Sequence, residues 1–240
     1  MTRLWLELSA PFAAFRPLQS GAYRSSSRCL PPSTAYGLVL GLAGVDMRDP
    51  RPAACTGIRT GLPQLRLALG QLRTPEVAVL FQQLHGYHHG PDGAAPRDRS
   101  GAKRWISPVR RELLVGFRAV LGVEAEAGLV EAIRAGLAGQ PGPGRHGLPF
   151  AGDNNLLFDR IEASAAPAAA HWLTPLGPAD PPRPGCERLT VWIDRGDSAR
   201  TRKLLMAPMA DAHPDPPLEA WLEFPGGTPT SSPGSDAFGR

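Results

Sequence analysis

Residues 9–44 read SAPFAAFRPLQSGAYRSSSRCLPPSTAYGLVLGLAG. Pro31-Pro32 cannot continue a helix from upstream, and Ser33 and Thr34 are good N-cap residues. The spacing predicts a helix reading Tyr36 to Ala43, with Gly44 at its C-terminal cap. Gly37, Gly41 and Gly44 share one face of it. Glycine costs ~1 kcal/mol against alanine inside a helix, so the expectation is another backbone packed very close. A capped helix start offers free N–H groups and a positive dipole end. Here it follows Arg24 and Arg28, with hydroxyls at Ser25, Ser26 and Ser27, and upstream an apolar turn carries Pro11, Phe12 and Phe15. Two readings fit: a cradle for single-stranded nucleic acid, or a proline-led helix entering an ordinary core.

Working outward, Leu4, Leu6 and Leu8 alternate, which predicts a strand over 3–8. Residues 45–63 read as loop. Leu65, Leu67 and Leu69 predict a second strand, and Leu113, Val115, Phe117, Ala119 and Leu121 a third. Residues 125–138 predict a helix with Leu129, Ile133 and Leu137 on one face, ended by Gly139. NNLLFDRIE, 154–162, predicts a fourth strand. The order strand, helix, strand, strand, helix, strand is the α+β, ferredoxin-like (RRM-like, βαββαβ) pattern, placed at 1–162. The Ala/Pro-rich stretch 163–187 reads as a linker. Residues 188–194 alternate as a strand, and Thr201–Ala207 and Leu218–Phe224 are further candidates, so 188–224 is expected to form a small β-subdomain. Residues 225–240 read as a flexible tail.

Residues 73–111, between strands two and three, are too long for an ordinary hairpin loop. Val77–Leu84 and Trp105–Glu112 are expected to pair as a long ribbon. The tip, HGYHHGPDGAAPRDRSGAKRW, is rich in glycine and cation. Arg97, Arg99, Lys103, Arg104, Arg110, Arg111 and Arg118 face only Asp98 and Glu112, with Tyr87 and Trp105 among them. Aromatics interleaved with cations suit single strands, whose bases stack at ~1–3 kcal/mol each. A solvated, flexible basic loop is the competing reading. His85, His88 and His89 have no carboxylate or cysteine at ligand spacing, so no metal is expected. General acid–base RNA cleavage would need a base on the 2′-OH and a cation on the phosphorane. A histidine with Tyr87 and Lys103 could supply both; simple RNA binding is the preferred reading.

The totals agree. In 240 residues there is room for a real core, and 27 Gly with 27 Pro imply many turns. Residues 1–118 carry 16 Lys/Arg against 7 Asp/Glu, and residues 119–240 carry 10 against 15. A basic front and acidic back suggest a polyanion held by the front. Lysine is present only at Lys103 and Lys203; arginine suits bidentate phosphate contacts, although a GC-rich genome gives the same bias. Cys29, Cys55 and Cys186 offer neither a disulfide framework nor zinc spacing, so a reducing compartment is expected. No signal peptide is expected, because Glu7 interrupts the short N-terminal apolar run, and no membrane span, because no apolar run approaches spanning length. The expectation is a soluble cytoplasmic protein without cofactor.

PFAAFRP after a first strand, followed by PPSTAYGLVLGLAG, resembles the N-terminal signature of the Cas-five family, the CRISPR-associated RAMP proteins of type I interference complexes. FQQLHGYHHG, ISPVRRELLVGFRA and RHGLPFAGDNNLLFDRIE look like its DevS-like branch. The resemblance covers about residues 4–162. It implies a ferredoxin-like RAMP domain with a β-hairpin thumb between strands two and three and a small C-terminal β-domain. It implies one copy per Cascade complex, seated on the crRNA 5′ handle, in antiviral defence. Its partners would be the backbone RAMP subunits, the large PAM-reading subunit and, through the complex, target DNA. Carried over, the handle cradle falls on Phe12, Phe15, Arg16, Tyr23, Arg24, Ser33, Thr34, Tyr36 and Gly37, and the thumb on Phe81 to Arg111. The turn Gly152, Asp153, Asn154, Asn155 is a further candidate for backbone approach to RNA. One subtype cuts pre-crRNA with Tyr, Lys and His, for which Tyr87, Lys103 and His88 are the alternative catalytic set here. Most subtypes leave cutting to a separate nuclease, so a non-catalytic role is expected. A transposon-associated targeting complex using the same subunit is a further alternative.

Overall fold

The computed structural model describes residues 1–17, 22–51, 56–85, 106–140, 142–144, 147–226 and 228–229. The chain forms β1 (Thr2–Ala13), β2 (Tyr23–Arg24), α1 (Pro32–Leu42), β3 (Leu65–Arg73), β4 (Glu76–His85) and β5 (Ile106–Ala125). Then follow α2 (Ala127–Leu137), β6 (Arg160–Ser164), β7 (His171–Pro175), β8 (Glu187–Trp192), β9 (Arg202–Pro208), β10 (Trp221–Phe224) and β11 (Thr228–Pro229). The central strands run in the order β6-β1-β5-β3, all neighbours antiparallel. α1 connects the β1 side to β3, and α2 connects β5 to β6.

Period-two burial explains the sheet. Leu4, Leu6 and Leu8 of β1, Leu65, Leu67 and Leu69 of β3, and Ala119, Leu121 and Val123 of β5 join one core cluster. Ala35, Tyr36, Val39 and Leu40 of α1 and Val130 and Ile133 of α2 complete it. Each fully buried Leu or Ile contributes ~1.5–3 kcal/mol. The two helices meet at Gly136, where an added Cβ would strike the Leu42 carbonyl. The opposite face carries Trp5, Trp172 and Trp221. Trp5 lies 6.0 Å by ring centroid from each of the other two. Gly122 makes room beneath Trp5, since its Cβ would overlap that ring.

Several sequence expectations change. α1 begins at Pro32 with Pro31 as its cap and no side-chain capping bond, so Ser33 and Thr34 lie in its first turn. Gly44, at φ 72°, does end it, with Val45 N–H donating to Leu40 O at 2.9 Å. Close backbone approach holds at Gly44, against Gly142, but not at Gly37 or Gly41: a Cβ on Gly41 would meet nothing within 4 Å. The fourth strand starts at Arg160, because Phe150 bridges to Leu157 and the intervening residues form a turn. Residues 163–187 are no surface linker: β7 lies within them, pairs with β3, and buries Trp172 completely. Alanine and proline there mimic a loose segment, yet Ala170 and Trp172 pack on Gly70. Nor is the C-terminal part separate, because β10 pairs with β3 and Leu189, Val191, Met206 and Phe224 enter the same core. Of the expected tail, β11 pairs with β10, and residues 230–240 lie outside the described residues.

β5 is one strand of 20 residues and changes partner along its length. From Arg118 onward it pairs with β3; from Ile106 to Val115 it pairs with β4. The exchange falls at Gly116, whose φ is 67°. There the inward face changes in both β1 and β5: Ala10 opposite Phe117 gives way to Ala13 and Leu114. A positive φ suits glycine there. The ribbon β4–β5 beyond it exposes Val79, Leu80 and Phe81. The pairing therefore matches the ribbon expected from the sequence, while its tip, residues 86–105, lies outside the described residues.

Candidate nucleic-acid interface

Three segments far apart in sequence meet at the base of the ribbon. After β1 the chain turns at Phe15 and returns, with Ser27 N–H donating to Phe15 O at 2.7 Å. The Ser26 hydroxyl accepts from Phe15 N–H at 3.0 Å. This return lays β2 parallel to β5, opposing Tyr23 to Arg110 and Arg24 to Arg111. Glu112 fastens it, accepting the Tyr23 hydroxyl at 2.6 Å and Ser26 N–H at 2.9 Å. That bond to Glu112, first among the causes, raises the Tyr23 pKa.

The third segment is the turn after α2. Gly152, at φ 85°, lies so close to Ala14 that a Cβ would strike its carbonyl. Ala14 N–H donates to Ala151 O at 2.9 Å. This contact delivers Asp153 to the arginines. Its carboxylate accepts from Arg16 at 2.7 Å and also from Arg111, and it takes the Asn155 amide at 3.2 Å. Burial would raise the Asp153 pKa, but the Asn155 amide, the Arg16 bond and the Arg111 charge outweigh it and hold it below the ordinary value. Arg111 is shifted down, first by burial and then by the charge of Arg16. Arg111 also donates to Gln82 on β4 at 2.6 Å.

Arg16 and Arg111 thus meet at Asp153 with Arg24 beside Arg111, while Arg110, next to Arg111 along β5, flanks Tyr23 on the other side of the strand. Arg16 Nη1 and Arg111 Nε are buried with no partner among the described residues. Like charges held together with orphaned donors favour an anion, and the guanidinium fork suits phosphate. Asn154 and Asn155 are exposed at the rim, and Phe12 is exposed nearby on β1.

The structure does not bring every expected site residue here. Phe15 is 1% exposed and packs edge-on against Phe117 at 5.0 Å. Tyr36 is also buried, stacked on Phe224 at 4.9 Å, its hydroxyl donating to Pro63 O at 3.1 Å. Burial raises the Tyr36 pKa to about 12. Both are core residues and present no free ring face. Ser33 and Thr34 sit in the first turn of α1, which packs beside β8, and Gly37 faces a shallow groove opposite Leu148 and Phe150. Tyr87, His88, Arg97, Arg99, Lys103, Arg104 and Trp105 lie outside the described residues. Sequence reasoning missed Asp153 and Glu112 as organisers. An acid directly after a glycine in GDNN was the available signal for Asp153; nothing local marks Glu112.

No protein-family model matches the sequence, and no curated protein matches it. Among solved structures, the chain is similar to a chain of a CRISPR RNA-guided surveillance complex, with TM-score 0.55 and 14% identity over 88% of this chain and 91% of that one. It is also similar to a chain described as a Cas protein, with TM-score 0.45 and 13% identity over 90% of this chain and 100% of that one. The first likeness establishes a shared fold: a large, mostly antiparallel sheet with two helices, as found in a chain of an RNA-guided CRISPR assembly. Among the described residues, no helix is long and apolar enough to cross a membrane, and no group of three or more His, Cys, Asp or Glu could hold a metal ion.

Proposed function

We propose that this chain is a non-catalytic RNA-binding subunit of a type I CRISPR interference complex, a Cas-five-like protein that caps the 5′ handle of the crRNA. The observation that carries the reading is the convergence of Arg16, Arg24 and Arg111 at the base of a projecting ribbon. The strand order β6-β1-β5-β3, with one helix in each crossover, supports a ferredoxin-like RAMP domain, and β4–β5 fits the thumb. The arginine cluster holds handle phosphates. The ribbon's exposed Val79, Leu80 and Phe81 rest on a backbone subunit, since a two-stranded ribbon with bare apolar side chains is marginal alone. The large PAM-reading subunit and target DNA are met through the assembled complex, in the cytoplasm.

Filter binding of handle RNA across a salt series tests this. Arg16→Ala with Arg24→Ala weakens binding and lowers the log–log salt slope by ~0.7 per lost phosphate contact. Unchanged affinity and slope would overturn the cluster's role. Metal-free cleavage of repeat RNA in EDTA, abolished by His88→Ala with His89→Ala, would instead make the chain a nuclease.

A further inference from the structure

A second concavity lies away from the arginine cluster, at the start of α1 and the end of β8. Its volume is about 390 Å³, within the range of small-molecule sites. Met47 and the ring of Trp192 give it apolar walls. Ser33 and Thr56 contribute hydroxyls, and Arg48 and Arg195 contribute two cations. Among the described residues, no carboxylate and no histidine lines it.

Of the nearby acids, Asp194 is engaged by its own loop, while Asp46 pairs with the pocket's own Arg48. Asp194 accepts the backbone amides of Gly196 and Asp197, each at 2.9 Å, and lies 3.6 Å from the Arg200 guanidinium. Asp46 takes the Arg48 backbone amide at 2.9 Å and approaches its guanidinium at 3.5 Å. The Tyr36 ring is stacked on Phe224 and its hydroxyl is spent on Pro63. Trp192, half-buried and tilted against Tyr36 at 6.1 Å by ring centroid, is the other ring beside the space.

Two cations, one of them already beside Asp46, and two hydroxyls leave the lining net positive, which suits an anion. A flat apolar wall beside them selects an aromatic ring on that anion. The size admits one such unit, and a lining without carboxylate or histidine among the described residues suits binding rather than cleavage. The place fits as well. Arg28 N–H, four residues past Arg24 of β2, donates to Glu187 at the head of β8 at 2.9 Å. Trp192 stands five residues further along that strand, about 16 Å away.

We propose that this pocket is a single-nucleotide site: a base lies against Trp192 while its phosphate is held by Arg48 and Arg195. It rests on the RNA-binding reading and adds a second, base-contacting station beyond the phosphate cluster.

The test uses the full chain and the four nucleoside 5′-monophosphates, titrated by calorimetry, beside handle RNA in filter binding. Wild type binds at least one monophosphate saturably. Arg195→Glu, at an exposed position, weakens that binding at least tenfold, and Trp192→Ala does so by roughly tenfold through lost stacking. Trp192→Phe restores most of it, which a folding defect would not allow. Arg16→Ala with Arg24→Ala leaves monophosphate binding intact while weakening RNA. No saturable monophosphate binding by wild type, or full affinity in Arg195→Glu, would overturn the pocket whatever RNA does. Monophosphate binding without RNA binding would keep the pocket and sink the handle reading.

Discussion

Asp153→Ala tests the organisation of the site most sharply. The carboxylate is 8% exposed, and the two side chains it joins, Arg16 and Arg111, are 25% and 16% exposed. Removing one partner of a buried ion pair costs ~3–5 kcal/mol. Partial exposure of both arginines lets water and salt recover some of that, so the expected loss is about 2–3 kcal/mol. Most of it is the repulsion of two guanidinium groups left facing each other, with Arg24 close enough to shift Arg111 as well. Urea unfolding should show a lower midpoint at unchanged slope. Part of the loss should return in 1 M salt, where the screening length shrinks to about 3 Å. The wild-type pH dependence has a fixed sign. The folded pKa of Asp153 lies below its ordinary value. The stabilisation is therefore fully present above the unfolded pKa of ~3.9 and is lost as pH falls through the folded one. Asp153→Asn should remove this acid-limb component. A stability within about 0.5 kcal/mol of wild type for Asp153→Ala, at low salt and pH 7, would refute the claim that this carboxylate holds the cluster together.

Two further predictions concern the frame. Gly41→Ala should stabilise the isolated chain by about 0.5–1 kcal/mol, because its Cβ meets nothing within 4 Å. Gly136→Ala should destabilise by about 1–3 kcal/mol, because its Cβ strikes the Leu42 carbonyl; thermal unfolding of both variants reads the difference in sign. Burial pushes the Cys29 thiol up to about 12, so iodoacetamide at pH 8 should label exposed Cys186 in the native chain and leave Cys29 unmodified, as peptide mass spectrometry would show.

Much of the frame was legible because it is written in alternation. The leucines of β1 and β3 and the run through Leu121 declare the face they bury, and the spacing of Leu129 and Ile133 declares α2. The ribbon was legible from the length of the 73–111 excursion. What failed were positions where composition and packing disagree. Ala170 and Trp172 sit in an Ala/Pro-rich stretch that looks loose, yet Gly70 across the sheet leaves room that their side chains fill together with Val120. Pro31 replaced the expected serine cap because its backbone already points the chain into α1. Of the candidate site, Arg16, Tyr23, Arg24, Arg110 and Arg111 were named from charge and resemblance; Arg16 and Arg111 share Asp153 with Arg24 beside them, and Tyr23 is tied to Glu112. Phe15 and Tyr36 were misplaced because an aromatic beside arginines looks the same in sequence whether its ring faces a base or a core. Asp153, Glu112 and the pocket beside Trp192 depend on contacts between distant segments, which no local pattern records.

A cryo-EM map of the assembled complex with its guide RNA would test the central claim most directly. The account predicts the first nucleotides of the guide lying along β2 and the base of the ribbon, with phosphates against Arg16, Arg24 and Arg111. Those nucleotides held by a different polypeptide, with this arginine cluster facing solvent, would contradict it.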